Sequence, residues 1–200
     1  MDKNILITKA IKENIKIKEI FLNDKKSISL IKKITEKIIL AFKNKKKLLI
    51  CGNGGSAADA QHIAAELSGK FYLDRDPLPA EALHVNSSFV TAVANDYSFE
   101  EVFARMVKAQ GRQGDILIAI STSGNSANIL QAIKVANEQK MVTIGLTGEY
   151  GGKMKDLCKY LIKVPSTDTP RIQEAHILIG HIICELVEKE IFGEKDIKKL

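Results

Sequence analysis

The sequence predicts an α/β protein with a doubly wound, Rossmann-like, five-stranded parallel sheet flanked by helices, preceded by N-terminal helices. Three observations carry this expectation. Short apolar runs at 47–51, 116–120, 142–146 and 160–164 alternate with helical segments, the pattern of strands buried on both faces. Gly/Ser-rich loops follow two of these runs and lead straight into helices, as the turns of βα units do. No linker-like or low-complexity stretch divides the 200 residues, a length that one compact domain accommodates.

Residues 1–43 read as two helices, with Ser27 as N-cap of a stripe in which Ile28, Ile31, Ile34 and Ile38 recur at helical spacing. The crossover helices of a small sheet already cover its faces, so a partner subunit is the expected cover for that stripe. Residues 1–43 are therefore expected to serve oligomerisation and 44–192 to form the sheet domain, the two making one structural unit. Lys47–Cys51 reads as the first strand and Ser56–Leu67 as an Ala-rich helix ended by Gly69 at C′. Ala82–Val85 is expected as the next strand, with helices around Phe89–Ala94 and over Phe99–Gln110. Ile116–Ile120, Val142–Leu146 and Tyr160–Val164 complete the strands, Ser126–Gln139 lies between the first two as a helix, and Arg171–Phe192 is a long final helix.

Composition narrows the partners. Lys+Arg of 30 against Asp+Glu of 24 gives a formal +6, and the excess lies in Lys25 and Lys26, in Lys43, Lys45, Lys46 and Lys47, and in Lys195, Lys198 and Lys199. No aromatic residues interleave with these clusters as a base-stacking surface would require, so they read as solvated lysines rather than a nucleic-acid site. Cys51, Cys158 and Cys184 are widely spaced within apolar stretches and form neither a CxxC pair nor an even disulfide framework, which suits a reducing compartment. Lys and Glu recur in every turn of Met1–Lys18, unlike a signal core, and no apolar run reaches transmembrane length. A soluble, cytoplasmic protein with no membrane partner is expected.

Two loops ask for a phosphorylated ligand. In Cys51-Gly52-Asn53-Gly54-Gly55-Ser56, between a strand and a helix, glycines let the backbone turn and approach a ligand. The helix start behind them offers unpaired N–H groups and a positive dipole end, and Asn53 and Ser56 add side-chain donors. The segment is neither the GxGxxG dinucleotide fingerprint nor a P-loop with its Lys. Ser121-Thr122-Ser123-Gly124-Asn125-Ser126 again joins a strand to a helix. Helix capping alone would account for one or two of its hydroxyls, but there are four within six positions. A phosphate monoester fits such neutral donors in the crevice beyond the strand ends.

A third constellation suits proton transfer. His62 and Glu66, four apart, are expected to project from one face near the start of the first crossover helix. A surface hydrogen-bonded pair is the plain alternative, but the final helix adds Gln173 and His181 on roughly one side, with about 12 Å of rise between them. Two imidazoles, a carboxylate and an amide oxygen suit a borderline divalent ion such as zinc. Gln173 and His181 reach one metal if their side chains lean together; alternatively they serve sites completed by different subunits. Interconverting a 2-ketose and an aldose moves one proton between adjacent carbons and another between their oxygens, work for a carboxylate base and an imidazole. His176, on another face, and His84, at a strand end, read as structural.

These residues lie in longer stretches with a family resemblance. CGNGGSAADAQHIAAELSGKF at 51–71, LPAEAL at 78–83, TAVANDYSFEEVFARMV at 91–107, GDILIAISTSGNSANIL at 114–130, LTGEYGGKM at 146–154 and VPSTDTPRIQEAHILIGHIICELVE at 164–188 occur in order. The sequence resembles the bacterial phosphoheptose isomerases of the sugar-isomerase (SIS) domain superfamily from about residue 45 to 190. The resemblance implies conversion of sedoheptulose 7-phosphate to D-glycero-D-manno-heptose 7-phosphate through an enediolate, an early step toward the heptose of lipopolysaccharide or surface polysaccharide. It implies a homotetramer with active sites at subunit interfaces and one zinc per subunit. The family's phosphate positions fall on Ser56, Ser121, Thr122, Ser123 and Ser126, beside Gly54 and Gly55. Its sugar-contacting positions fall on Asn53, Asn95 and Asp96, with Gln173 also at the substrate. Glu66 matches the base and His181 the acid; His62, Glu66, Gln173 and His181 match the metal site. A carboxylate held tightly by a metal is not free to take a proton, so the two roles of Glu66 belong to different states. Some relatives carry an acid where this chain has Pro170; the nearest acid is Asp168, which receives no catalytic role. A non-catalytic SIS protein that binds a phosphosugar or the replication initiator is the alternative, disfavoured because Glu66 and His181 are both present.

Overall fold

The computed structural model describes residues 2–193 and bears out the doubly wound sheet. The N-terminal helices are α1 (Lys3–Asn23) and α2 (Lys25–Lys43). Asp24, not Ser27, separates them: its backbone N–H donates to the Phe21 carbonyl, closing α1. Its carboxylate accepts from the Lys26 N–H at 3.0 Å and the Ser27 hydroxyl at 2.6 Å, opening α2. The body follows as β1 (Leu48–Gly52), α3 (Gly55–Ser68), β2 (Ala80–Ala82), α4 (Ser87–Asp96), a 3₁₀ turn (Phe99–Glu101) and α5 (Val102–Gln110). Then come β3 (Ile116–Ile120), α6 (Ala127–Glu138), β4 (Val142–Thr147), a second 3₁₀ turn (Gly152–Asp156), β5 (Tyr160–Lys163) and α7 (Thr169–Phe192).

The five strands are all parallel in the order β2-β1-β3-β4-β5. After β2 the chain returns past β1, so β1 and β3 are neighbours from which it winds outward in opposite directions. That is the switch point where open α/β sheets leave a crevice beyond the strand ends, and the two Gly/Ser loops leave the sheet there. β2 begins earlier than its apolar run suggested. Pairing starts at Leu48 against Ala80, and as an edge strand β2 tolerates the exposed Glu81 in its middle. Gly69 ends α3 at φ −93°, without the left-handed turn expected of a C′ glycine.

Strand side chains alternate between the sheet faces with the period of two that a pleated strand imposes. Leu48, Ile50, Ile118, Ile144 and Ile162 meet α2, α3 and α7, while Leu49, Cys51, Leu117 and Ala119 meet α5 and α6. Ile31, Ile34 and Ile38 of α2 are buried on the first of these faces, so that part of the stripe expected to await a partner is covered within its own chain, while Ile28 stays exposed. The helix left uncovered is α1. Only its Ile17 is buried, while Ile5, Ile7, Ile11, Ile15 and Leu22 stand exposed. Arg171 ties α1 to the body by donating to the Ala10 carbonyl, and Asn14 bonds Glu174.

At the start of α7, Asp168 occupies the N-cap position and Pro170 lies in the first turn, where a missing N–H costs nothing. The three cysteines are free, and among the described residues no helix is long and apolar enough to cross a membrane. Lys195, Lys198 and Lys199 lie outside the described residues.

Candidate functional site

The second loop closes on itself as a cup. Ser121 Oγ, nearly buried at the end of β3, lies 3.0 Å from Ser126 Oγ and 3.4 Å from Ser123 Oγ. Ser126 occupies the N-cap position of α6, yet its hydroxyl makes no capping bond, and the plain capping explanation fails at the residue best placed for it. Its hydroxyl turns to Ser121, and with the Ile129 N–H held by Asn128 Oδ1 at 2.9 Å it is the N–H groups of Ala127 and Asn128 that α6 presents to an anion. Gly124, at φ +66°, makes the turn, and an added Cβ there would strike the backbone at Gly151 and Gly152. Thr122 supplies the carbonyl that holds Gly148 at 3.0 Å, pinning the cup to the loop after β4.

The first loop is bound to the cup by a pair that the sequence did not reveal. Asn53 Nδ2 donates to Asn128 Oδ1 at 2.9 Å, and Asn128 Nδ2 returns the bond to Asn53 Oδ1 at 3.0 Å. Each amide keeps one N–H for another acceptor. Gly54, at φ +56°, is the N-cap of α3 and has no side chain to cap it; the N–H groups of Ser56 and Ala57 turn back to the Asn53 and Gly54 carbonyls at 3.0 Å. The Ser56 hydroxyl group lies within the first turn of a helix aimed at the same crevice, its residue only 4% exposed. Asn128 would have been recognisable only to a reader who knew that β1 and β3 were neighbours.

Farther along α3 stands the proton-transfer constellation. α3 and α7 run parallel: Gln173 packs on Gly55, Ile63 on Gly180 and His62 on His181. An added Cβ on Gly180 would come within 2.6 Å of Ile63 Cδ1, so the helices approach closely there. His62 Nε2 lies 3.1 Å from Glu66 Oε1 and 3.2 Å from His181 Nε2, and ligand atoms of all three lie within 4.8 Å of one another. The pair stands in the middle and last turn of α3, not near its start.

A ring nitrogen carries either a proton or a lone pair in the ring plane, so His62 Nε2 cannot satisfy both neighbours by hydrogen bonding. A cation satisfies all three. Zinc with ligand bonds of about 2.0–2.1 Å in tetrahedral array would space its ligand atoms about 3.3 Å apart, close to the contacts found. Two imidazoles and a carboxylate are also the donor set such an ion prefers. His62, Glu66 and His181 therefore fit a metal as they stand.

Gln173 does not join them within one chain. Its amide lies against Gly55, about 10 Å along α3 from His62. It faces the phosphate loops, in keeping with a place beside substrate. Asn95 and Asp96, exposed at the end of α4, bond each other at 2.9 Å, and no hydrogen bond among the described residues links them to either loop. Asp59, one turn before His62 and unremarked in the sequence, has a buried Oδ2 with no hydrogen-bond partner among the described residues. Burial pushes its carboxyl up to about 6 against the lowering effect of His62. His176 and His84 behave as core residues. His176 is fully buried, its Nε2 3.3 Å from the Thr147 carbonyl, and burial takes it down to about 4; burial also lowers His84.

Comparisons with known proteins agree with this architecture. The SIS domain family matches residues 16–148. A phosphoheptose isomerase from Clostridium acetobutylicum is 56% identical over 189 residues, covering 94% of this chain and 96% of that protein. A phosphoheptose isomerase 2 from Campylobacter jejuni is 55% identical, covering 91% and 90%. The solved phosphoheptose isomerase of Neisseria gonorrhoeae superposes with a TM-score of 0.88 at 41% identity, covering 94% of this chain and all of the other. With its sheet order, its hydroxyl cup and its His/Glu cluster in place, the chain belongs to the phosphoheptose isomerase family of SIS-domain enzymes.

Proposed function

We propose that this enzyme converts sedoheptulose 7-phosphate to D-glycero-D-manno-heptose 7-phosphate, supplying heptose for lipopolysaccharide or another surface polysaccharide. One observation carries the reading. The His62–Glu66–His181 cluster stands about 10 Å along α3 from the phosphate loops, a span comparable to the extended chain between the phosphorus and C1 of a heptulose 7-phosphate.

The phosphate sits in the cup of Ser121, Thr122, Ser123 and Ser126, with Ser56 and the N-termini of α3 and α6 adding donors. Asn53, Gly54, Gly55 and Gln173, with Asn95 and Asp96, surround the sugar hydroxyls. This anchoring brings C1 and C2 to the cluster and supplies the orientation on which the rate depends. Glu66 takes the proton from C1 while His181 gives one to the C2 oxygen, leaving an enediol. The O1 proton then passes to His181, Glu66 returns its proton to C2, and the aldose forms with both groups restored. His62, Glu66 and His181 would hold zinc, one per subunit; when bound, zinc supplies a Lewis acid at the substrate carbonyl. Glu66 as ligand and base, and His181 as ligand and acid, each serve in two different states.

The assembly is a homotetramer acting in the cytoplasm, with residues 1–43 at its contacts. The exposed apolar side of α1 supports this, as does the separation of Gln173 from the cluster, which leaves a neighbouring chain to complete the metal set. The test is incubation with sedoheptulose 7-phosphate, with and without zinc, followed by NMR. Aldoheptose 7-phosphate is expected; absence of turnover under both conditions would contradict the proposal.

A further inference from the structure

Beyond the cluster, the α3–α7 junction holds a buried ion pair that the reaction scheme leaves unused. Arg75, in the segment after α3, and Glu188 of α7 meet with Nε–Oε2 at 2.9 Å, their side chains each only 2% exposed. Taking two charges out of water is expensive, and such a pair survives only when its remaining hydrogen-bonding capacity is used. Here nearly every bond goes to backbone around the cluster. Arg75 donates to the carbonyls of Glu66 at 2.9 Å, Leu67 at 2.8 Å and Gly69 at 3.2 Å, the last acceptors of α3. Glu188 accepts from the N–H groups of Phe71 at 3.3 Å, Tyr72 at 2.8 Å and Leu73 at 2.9 Å.

The bonds reach both halves of the cluster. On the α3 side, the guanidinium holds the main chain of Glu66 itself. On the α7 side, Glu188 follows His181 by two helical turns on the same face, and the Phe71 that it holds packs its ring 5.9 Å from the His181 ring. The separation of Glu66 and His62 from His181 is the distance between α3 and α7, and this pair spans the two helices at the end nearest the cluster.

We propose that Arg75 and Glu188 are positioning residues for the isomerase site, setting the α3–α7 spacing at which His62, Glu66 and His181 converge. The inference rests on the reading of that cluster as the metal and proton-transfer site. A plain structural role needs only charge balance, which lysine supplies. Positioning needs the guanidinium fork, because one ammonium cannot hold the Glu66, Leu67 and Gly69 carbonyls while also meeting Glu188.

The test compares wild type, Arg75→Lys, the apolar double variant Arg75→Met/Glu188→Leu, and His181→Gln. Zinc affinity is read by competition with a chromogenic chelator, beside kcat and KM for sedoheptulose 7-phosphate and the melting temperature. The double variant removes both charges and so keeps the test alive if Arg75→Lys fails to fold. Zinc binding is expected to weaken about 10–100-fold in both clamp variants, the usual effect of losing outer support for a metal ligand. kcat should fall with KM little changed. A folded clamp variant that binds zinc as tightly as wild type would overturn the positioning role alone. Zinc binding undiminished by His181→Gln would overturn the cluster reading, and the clamp with it.

Discussion

The two halves of the candidate site are built on opposite principles. The phosphate cup is made of loops, its donors are neutral, and its side chains satisfy one another: Ser121 meets Ser123 and Ser126, and Asn53 meets Asn128. The His62–Glu66–His181 cluster is made on two rigid helices, and its central nitrogen has two partners and one position to offer. The contrast separates holding from reacting. An anion that the cup binds replaces contacts that the hydroxyls can give up, whereas the cluster is incomplete until a proton or cation settles its arrangement. Substitutions in the cup should therefore change binding, and substitutions in the cluster should change turnover.

The sharpest break of that comparison is Glu66→Gln. Loss of the acid–base group should lower kcat about 10²–10⁴-fold while leaving KM within a small factor. Steady-state kinetics with sedoheptulose 7-phosphate check it, and a change confined to KM would move Glu66 into the binding half. Next is Ser121→Ala. Hydrogen bonds to a charged group contribute about 1.5–3 kcal/mol, so KM should rise about 10–100-fold with kcat nearly kept. A matching fall in kcat would erase the division between cup and cluster. Gly180→Ala tests the helix contact between them: its Cβ would lie 2.6 Å from Cδ1 and 2.7 Å from Cγ1 of the buried Ile63, which must repack or push α3 from α7. Overpacking of this kind costs about 1–3 kcal/mol, seen as a lower melting temperature, and kcat should fall with it.

The smallest effect concerns the other imidazole of α7. His176 is held down to about 4 by burial, below its ordinary value near 6.5. A depressed histidine binds more protons unfolded than folded. Its contribution is therefore complete above about pH 6.5 and is lost as pH falls toward 4, at up to about 1.4 kcal/mol per pH unit. Asp59, raised to about 6, acts with the opposite sign between about pH 4 and 6 and is lost as pH rises. The check is therefore the difference in unfolding free energy between wild type and His176→Leu. That difference should shrink from pH 7 to pH 4, and a constant difference would contradict the assignment.

Much of this arrangement was legible in the sequence where a signal was local. β3 was found at Ile116–Ile120 as expected, because five apolar residues bounded by polar ones admit little else than a central strand. β2 was displaced, because Pro79 and Glu81 are tolerated only on a strand with one free edge, and edge position is a property of the whole sheet. The stripe on α2 is visible in the sequence, but the cover of Ile31, Ile34 and Ile38 is not, since their burial depends on α7, more than a hundred residues away. The hydroxyl loop could be read directly. Asn128 could not, because its partner Asn53 is brought near only by the pairing of β1 with β3. The chemistry of Glu66 and His181 groups them in the sequence and the family resemblance agrees, but their contact arises from the parallel packing of α3 on α7 that no local pattern encodes.

The most direct test of the central claim is isomerisation of sedoheptulose 7-phosphate in deuterium oxide, with NMR of the aldose product. Glu66 carries the proton from C1 to C2 and can exchange it with solvent on the way, so deuterium is predicted at part of the C2 positions of the aldoheptose phosphate, and both labelling and turnover are predicted to be lost in Glu66→Gln. Turnover undiminished in Glu66→Gln, whether the product carries hydrogen or deuterium at C2, would contradict the account.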